Sequence, residues 1–198
     1  MVTMEHEESD ETLAGRAAAG DRAAFMRLLE RHYDRTFRTV YSLLRHHSDA
    51  EDVTQDVWAD LPGKLRSWRG EARFTSWLHR IAINAGKDAL RRDATRTRIT
   101  KGYAETDALA RGAHAHTTAQ LDWLQAALGT LSDDLRATAA LTLGEAMTFA
   151  QAAAVLGIKE GTVAWRMSEV RKQLRALAAD GVALNTNPGG PVDTEKLA

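Results

Sequence analysis

The chain has 198 residues, a formal net charge of −1 and no cysteine. This length suits one large domain or two small ones, and the lack of cysteine excludes disulfides, thiol catalysis and cysteine-ligated zinc. Because no apolar run approaches a membrane span and no secretory signal opens the chain, we expect a soluble cytoplasmic protein without membrane insertion. Alanine and leucine are abundant and strand-like alternation is not evident, which predicts an all-α fold.

The first part of the chain predicts an acidic segment followed by a long helix. Residues 1–20 form the acidic N-terminal segment, which we expect to be frayed over residues 1–12 and to carry a short helix over Glu11–Ala19. From Asp21, a plausible N-cap, apolar residues recur at intervals of three and four. This spacing predicts an amphipathic helix of six to seven turns, and a first domain over residues 21–92.

The next predicted helix carries acids on its outer side. A capping box of Ser48 and Glu51 predicts its start, and Pro62-Gly63 is expected to interrupt or end it. A solvated surface and the helix dipole explain the acids of the first turn, but other polar residues lie further along. These residues, Gln55, Asp56 and Asp60, favour a docking surface for a basic partner.

The stretch from Arg66 to Arg92 combines cations, aromatic rings and an amide. On a helical wheel, Phe74, Leu78 and Ala82 fall on an apolar side, and the polar residues fall on another. This chemistry suits unpaired nucleic acid, although a solvated basic surface with a half-buried Trp77 remains an alternative. The candidate DNA-binding residues are Trp68, Arg69, Arg73, Trp77, Arg80, Asn84, Lys87, Arg91 and Arg92.

The sequence of residues 93–118 predicts a flexible linker. The sequence from Lys87 to Lys101 holds six cations against two acids, a local net charge of +4 within a nearly neutral chain. His114 and His116 lie two positions apart in the linker, but no second pair of ligands is near. We therefore expect neither a metal site nor a cofactor.

A second helical domain is predicted over residues 119–178. Ser132 is a candidate N-cap, Thr148 opens a capping box with Gln151, and Gly157 suits the left-handed end of that short helix. A longer helix follows, with Thr162 as its expected N-cap, which completes a helix-turn-helix pattern. Residues 179–198 are expected to form a disordered tail. The candidate duplex-DNA residues are Thr162, Ala164, Trp165, Arg166, Ser168, Glu169, Arg171 and Lys172.

Three blocks of the sequence resemble bacterial RNA polymerase sigma factors of the extracytoplasmic-function (ECF) group. Asp49–Trp58 resembles the segment that docks on core polymerase, and Arg66–Arg92 resembles the segment that opens and reads the minus-ten element. Leu131–Arg175 resembles the domain that binds the minus-thirty-five element. The resemblance implies two small helical domains joined by a flexible linker, the second a helix-turn-helix domain.

The resemblance also implies roles for individual residues. Asp52, Gln55 and Asp56 would contact the polymerase, and Trp68, Arg69 and Asn84 would line a pocket for a flipped base of the melted non-template strand. Lys87, Arg91 and Arg92 would hold the DNA backbone. The family often has a basic residue at the positions of Ala164 and Glu169, and this chain has none there. The implied partners are core RNA polymerase, promoter DNA and an anti-sigma factor.

Two other classes of function remain open. An ordinary helix-turn-helix regulator would bind duplex DNA tightly alone, usually as a dimer, and an adaptor that mimics a sigma factor would bind a regulator without supporting transcription. An enzyme is not expected, because no nucleophile–base pair, metal-ligand cluster or phosphate loop is evident. Glu145 has no partner that the sequence can assign.

Overall fold

The structure is a computed structural model that describes the backbone of residues 8–100 and 127–185, and the side chains of residues 8–95 and 127–179. All regular elements in these ranges are helical, which confirms the all-α fold. The helices are α1 (Asp10–Ala18), α2 (Arg22–Leu44), α3 (His47–Leu65), α4 (Phe74–Thr100), α5 (Asp133–Ala139), α6 (Phe149–Leu156) and α7 (Glu160–Asn185), with a π-helical segment (Ala140–Gly144) after α5.

Helices α1 to α4 form the first domain around a core rich in leucine and aromatic residues. Leu28 of α2, Leu61 and Leu65 of α3, and Phe74 of α4 are fully buried there. Asp21 caps α2 as predicted, since its carboxylate accepts from the amides of Ala23 and Ala24.

The N-terminal segment is more ordered than the sequence suggested. Ser9 caps α1, and Leu13 on that helix is fully buried against the first domain. The carboxylate of Glu8 accepts from Arg16 and Arg27. The prediction of a frayed segment is therefore wrong for residues 8–12, and residues 1–7 lie outside the described part of the chain.

Helix α3 begins and ends differently from the prediction. His46 rather than Ser48 is its N-cap, with the imidazole accepting from the amide of Asp49, and the next ring, His47, packs against Phe37. Pro62 does not end the helix, which continues to Leu65. Burial of Leu61 and Leu65 on the same side offsets the one hydrogen bond that proline removes.

Helix α5, the π segment, α6 and α7 form the second domain. Ser132 caps α5, and Thr148 and Gln151 form the predicted capping box of α6. Helix α7 begins at Glu160, so Thr162 lies inside the first turn, where its amide donates to the Lys159 carbonyl. The prediction that Thr162 is the N-cap is therefore wrong.

Two helices extend beyond the ends that the sequence predicted for them. Helix α4 continues to Thr100, into the segment predicted as linker from residue 93, and α7 continues to Asn185, into the segment predicted as tail from residue 179. The predictions for residues 101–126, including His114 and His116, and for residues 186–198 fall outside the described residues.

The two domains pack against each other through a shared apolar cluster. Leu43 of α2 and Ile83 of α4 are buried together with Leu141 and Met167 of the second domain. Arg136 of α5 strengthens this junction, because its guanidinium donates to the Leu43 carbonyl at 2.8 Å, in the last turn of α2. The second domain therefore covers one side of α2 and α4.

The turn between α6 and α7 needs a left-handed residue. Gly157 ends α6 with φ 68°, and its amide donates to the Ala153 carbonyl. A Cβ at Gly157 would meet no atom within 4 Å, and the same holds at Gly161 in the first turn of α7. The two glycines thus differ in backbone conformation and not in available space.

We expect Gly157→Ala to lower the free energy of unfolding by about 1–2 kcal/mol, because the left-handed backbone conformation at this position is unfavourable for alanine. Gly161→Ala, the matched control, should leave it unchanged or raise it by up to about 1 kcal/mol, because alanine favours a helix. Urea denaturation of the full chain measures both changes. A loss of equal size in the two variants would contradict the role of the turn.

Candidate nucleic-acid interface

The loop before α4 ends in a cluster of three aromatic rings. The ring of Trp68 lies 6.2 Å from the rings of Phe74 and Trp77, measured between centroids. Trp68 and Trp77 are half-buried against the core of the first domain, and the Trp68 Nε1 donor is buried without a hydrogen-bond partner among the described residues. This packing gives Trp77 a structural role that the sequence left undecided.

An acid of the N-terminal segment helps to position this cluster. The Glu11 carboxylate accepts from the amide of Phe74 at 3.2 Å, and so satisfies a donor at the start of α4. Sequence reasoning missed this contact, because Glu11 and Phe74 are 63 positions apart. The acidic segment thus stabilises the beginning of the candidate DNA-binding helix.

The cations of this region divide into two groups. Arg69 and Arg73 in the loop, and Arg92 on α4, are exposed, and Arg91 is exposed beside its ion-pair partner Asp88. Arg80, which is also exposed, and the half-buried Lys87 donate to acceptors on the second domain. Part of the predicted basic surface is therefore engaged in contacts within the protein.

A broad groove of about 1180 Å³ runs between α3 and α4. Asn84 is exposed and lines this groove opposite Asp56 of α3, together with Arg91 and Arg92. Trp68 is not among the lining residues, so the structure does not bring Trp68 and Asn84 into one pocket. Asn84 instead lies between the candidate polymerase surface and the basic end of α4.

The acidic side of α3 is available for a partner. Asp52, Gln55 and Asp56 are all exposed, whereas Val53 and Val57 on the same helix are buried. The side chains on this surface are therefore not required for the core of the first domain.

The outer side of α7 exposes half of the predicted duplex-DNA residues. Trp165 is 64% exposed, as its position on the helix predicted, and Ser168, Arg171 and Lys172 are exposed as well. Thr162 and Ala164 are half-buried, and Glu169 binds within the helix by accepting from Gln173 and pairing with Lys172. The Arg166 guanidinium donates a hydrogen bond to the carboxylate of Asp134 on α5 at 2.6 Å.

Glu145 lies buried where the two domains meet, with a side chain only 5% exposed. Its carboxylate accepts from the Arg35 guanidinium and, at 3.1 Å, from the Thr39 hydroxyl, both on α2. His79 Nε2 of α4 lies 3.4 Å from the same carboxylate. This residue, which the sequence could not assign, therefore links the second domain to two helices of the first.

The surroundings of Glu145 keep it ionised. Burial acts to raise the pKa of its carboxyl, but His79 and Arg35 outweigh burial and lower the pKa from 4.5 to about 2. A lowered pKa in the folded state means that the stabilisation is fully present above pH 4.5 and is lost as the pH falls through about 2. Hydrogen bonding from Lys87 likewise lowers the pKa of the Asp134 carboxyl.

Two further features were sought in the described part of the chain: a metal-binding cluster and a membrane-spanning helix. Its side chains contain no group of three or more His, Cys, Asp or Glu residues placed to hold a metal ion. Within the same residues, no helix combines the length and apolar character that a membrane span needs.

The helix-turn-helix domain, the acidic helix and the basic aromatic loop together define a transcription initiation factor of the sigma class. The family model for Sigma-70 region 2 matches residues 28–96. The ECF RNA polymerase sigma factor SigM of Mycobacterium tuberculosis H37Rv is 34% identical over 175 residues, which cover 87% of this chain and 86% of SigM. The chain therefore belongs to the ECF RNA polymerase sigma factors.

Solved structures support the same fold. CnrH, solved in complex with the cytosolic domain of CnrY, matches with a TM-score of 0.65 and 27% identity, over 87% of this chain and 99% of CnrH. The sigma factor RpoE from Bartonella quintana, solved with the anti-sigma factor NepR, matches in fold with a TM-score of 0.63 at 24% identity. The second match covers 78% of this chain and 96% of RpoE.

Alanine variants of Trp77 and Trp165 test which of these two side chains contributes to the stability of the fold. We expect Trp77→Ala to cost about 2–4 kcal/mol of unfolding free energy, because it removes packing against Trp68 and Phe74. Trp165→Ala should change it by no more than about 0.5 kcal/mol, since the ring is exposed. Chemical denaturation followed by circular dichroism measures both, and a large loss for Trp165→Ala would place that ring in the core.

Proposed function

We propose that this chain binds core RNA polymerase and directs it to promoters, where it helps to melt the minus-ten DNA. The observation that carries the proposal is the presence, on one chain, of an exposed acidic surface on α3, an exposed basic loop before α4 and an exposed helix-turn-helix surface on α7. Each surface has the chemistry of a different contact with the transcription machinery.

The polymerase contact is assigned to the acidic side of α3. Asp52, Gln55 and Asp56 are exposed and belong to a helix whose opposite side is buried, so they can bind a partner without disturbing the core. A basic surface on the polymerase would complement them and give the encounter its orientation.

The minus-ten contact is assigned to the loop and to the exposed part of α4. Arg69, Arg73 and Arg92 would neutralise phosphates, while Trp68 offers a ring and Asn84 an amide to an unpaired base. Binding of unpaired bases shifts the duplex toward the melted state, so no covalent chemistry is needed. Because Trp68 and Asn84 line different surfaces here, they would contact different nucleotides or come together only on the promoter.

The minus-thirty-five contact is assigned to α7. Trp165 and Ser168 would face the base edges in the major groove, and Arg171 and Lys172 would reach the phosphates. Glu169 already binds Gln173 and Lys172 within the helix, which suits a supporting role better than a phosphate contact.

We also assign to this chain an anti-sigma partner, a cytoplasmic place of action beside the polymerase, and no enzymatic activity of its own. The complex of the related CnrH with the cytosolic domain of CnrY supports the first assignment. The proposed contacts with polymerase and DNA perform no reaction of their own.

Run-off transcription tests the proposal directly. Purified core polymerase with this chain should give discrete transcripts from fragments of the host genome, whereas core polymerase alone should not. The absence of any promoter-specific transcript would sink the proposal. Tight dimeric binding to duplex DNA without polymerase would then favour an ordinary regulator, and stable binding to a regulator without transcription would favour an adaptor.

Variants on α3 and α4 should separate docking from melting. Asn84→Ala should reduce promoter opening by about tenfold while core binding is retained, because the amide contacts an unpaired base. The double variant Gln55→Ala with Asp56→Ala should weaken core binding by about five- to tenfold, because it removes a charge and a polar contact.

Size-exclusion chromatography measures core binding, and permanganate reactivity of promoter thymines measures opening. Asp34→Ala, which removes an exposed acid from α2 of the same domain, is the control and should change neither. Equal loss of core binding in the α3 and α4 variants would contradict the division of roles.

A further inference from the structure

Phe74, the first residue of α4, is the central ring of the aromatic cluster before that helix. Its side chain is fully buried, and its ring centroid lies 6.2 Å from that of Trp68 and 6.0 Å from that of Trp77. The ring of His32 on α2 lies 5.5 Å from the same ring. Because a close-packed interior transmits small displacements, the position of Phe74 determines the position of the Trp68 ring.

Helix α1 holds Phe74 both by its backbone and by its ring. The Glu11 carboxylate accepts from the Phe74 amide at 3.2 Å. The neighbouring Asp10 carboxylate accepts from His32 Nε2 at 2.8 Å, and so holds the ring that packs on Phe74. Two consecutive acids in the first turn of α1 therefore act on the first residue of α4.

The start of α4 depends on Glu11 because the preceding residue cannot cap it. Arg73 directly precedes the helix, and a guanidinium has only donors, so its side chain cannot accept from the first amides. Among the described residues, Glu11 is the one side chain that accepts from an amide in the first turn of α4. An acid that lies 63 positions earlier thus does the work of a capping residue.

Glu11 can perform this task without contributing to the core. It is exposed, whereas Leu13 and Ala14 on the same helix are fully buried and anchor α1 to the first domain. Substitution of Glu11 should therefore leave α1 in place and affect mainly the start of α4.

We propose that Glu11 is a positioning residue for recognition of the unpaired minus-ten strand. It fixes the first amide of α4, and through Phe74 it sets the position of the Trp68 ring and of the loop that carries Arg69 and Arg73. Glu11 acts through these residues and need not touch DNA. This inference rests on the proposed function, because the loop and Trp68 are the parts assigned to unpaired DNA.

The test measures how well polymerase that carries the full chain distinguishes two fluorescent single strands. One strand has the non-template minus-ten sequence of a promoter mapped by run-off transcription, and the other has the same bases in scrambled order. Anisotropy gives the two affinities, and their ratio is the specificity. Glu11→Ala should lower this ratio about three- to tenfold, because the loop is no longer held in one position.

Two further variants show whether the hydrogen bond is responsible. Glu11→Gln should keep the ratio within about twofold of the wild-type value, because the glutamine side-chain oxygen still accepts from the Phe74 amide. Glu30→Ala is the matched control, since it removes an exposed glutamate from α2 of the same domain that has no hydrogen bond or ion pair in the described structure. It should also stay within about twofold.

The ratio separates positioning from stability, because partial unfolding lowers both affinities together. Equal ratios for Glu11→Ala and Glu30→Ala would overturn the inference, and so would an equal loss in Glu11→Ala and Glu11→Gln. If the wild-type complex itself did not prefer the minus-ten strand, the proposed function would fail. A wild-type preference that Glu11→Ala leaves intact would overturn only the positioning role.

Discussion

The buried carboxylate of Glu145 determines how the two halves of this protein sit together. It is the point at which the second domain contacts both α2 and α4, through Arg35, Thr39 and His79. An ionised carboxylate is costly to bury without partners, and in the docked arrangement Arg35, Thr39 and His79 supply those partners to Glu145. The shared apolar cluster and the Arg136 contact with the end of α2 then complete the junction.

This arrangement leaves some of the candidate binding residues facing solvent and engages others in contacts within the protein. The acidic side of α3, the basic loop before α4 and Trp165 on α7 face solvent, whereas Arg80, Lys87 and Arg166 bind acceptors within the protein. The proposed polymerase-docking surface is therefore exposed, while Arg80, Lys87 and Arg166 of the proposed DNA-binding surfaces already have partners within the protein.

Local signals allowed much of the fold to be predicted from the sequence. Four helix ends lie where the sequence predicted them, at Asp21, Ser132, Thr148 and Gly157. Such ends can be predicted because capping depends on neighbours within a few residues. The junction was not predictable in this way. Glu145 and Arg35 are 110 positions apart, and Lys87 and Asp134 are 47 apart, so no helical period relates them. Pro62 shows the same limit, since burial of its neighbours overrode a local helix breaker.

The distance between the two domains directly tests whether the second domain packs on α2 and α4 in solution. Because the natural chain has no cysteine, Arg38→Cys on α2 and Arg175→Cys on α7 allow two dyes to be placed at exposed positions for energy-transfer measurements. We expect high transfer efficiency for the chain alone and a large decrease when core polymerase is added. An efficiency that is equally low before and after polymerase binding would contradict the docked arrangement, because the two domains would then be apart from the start.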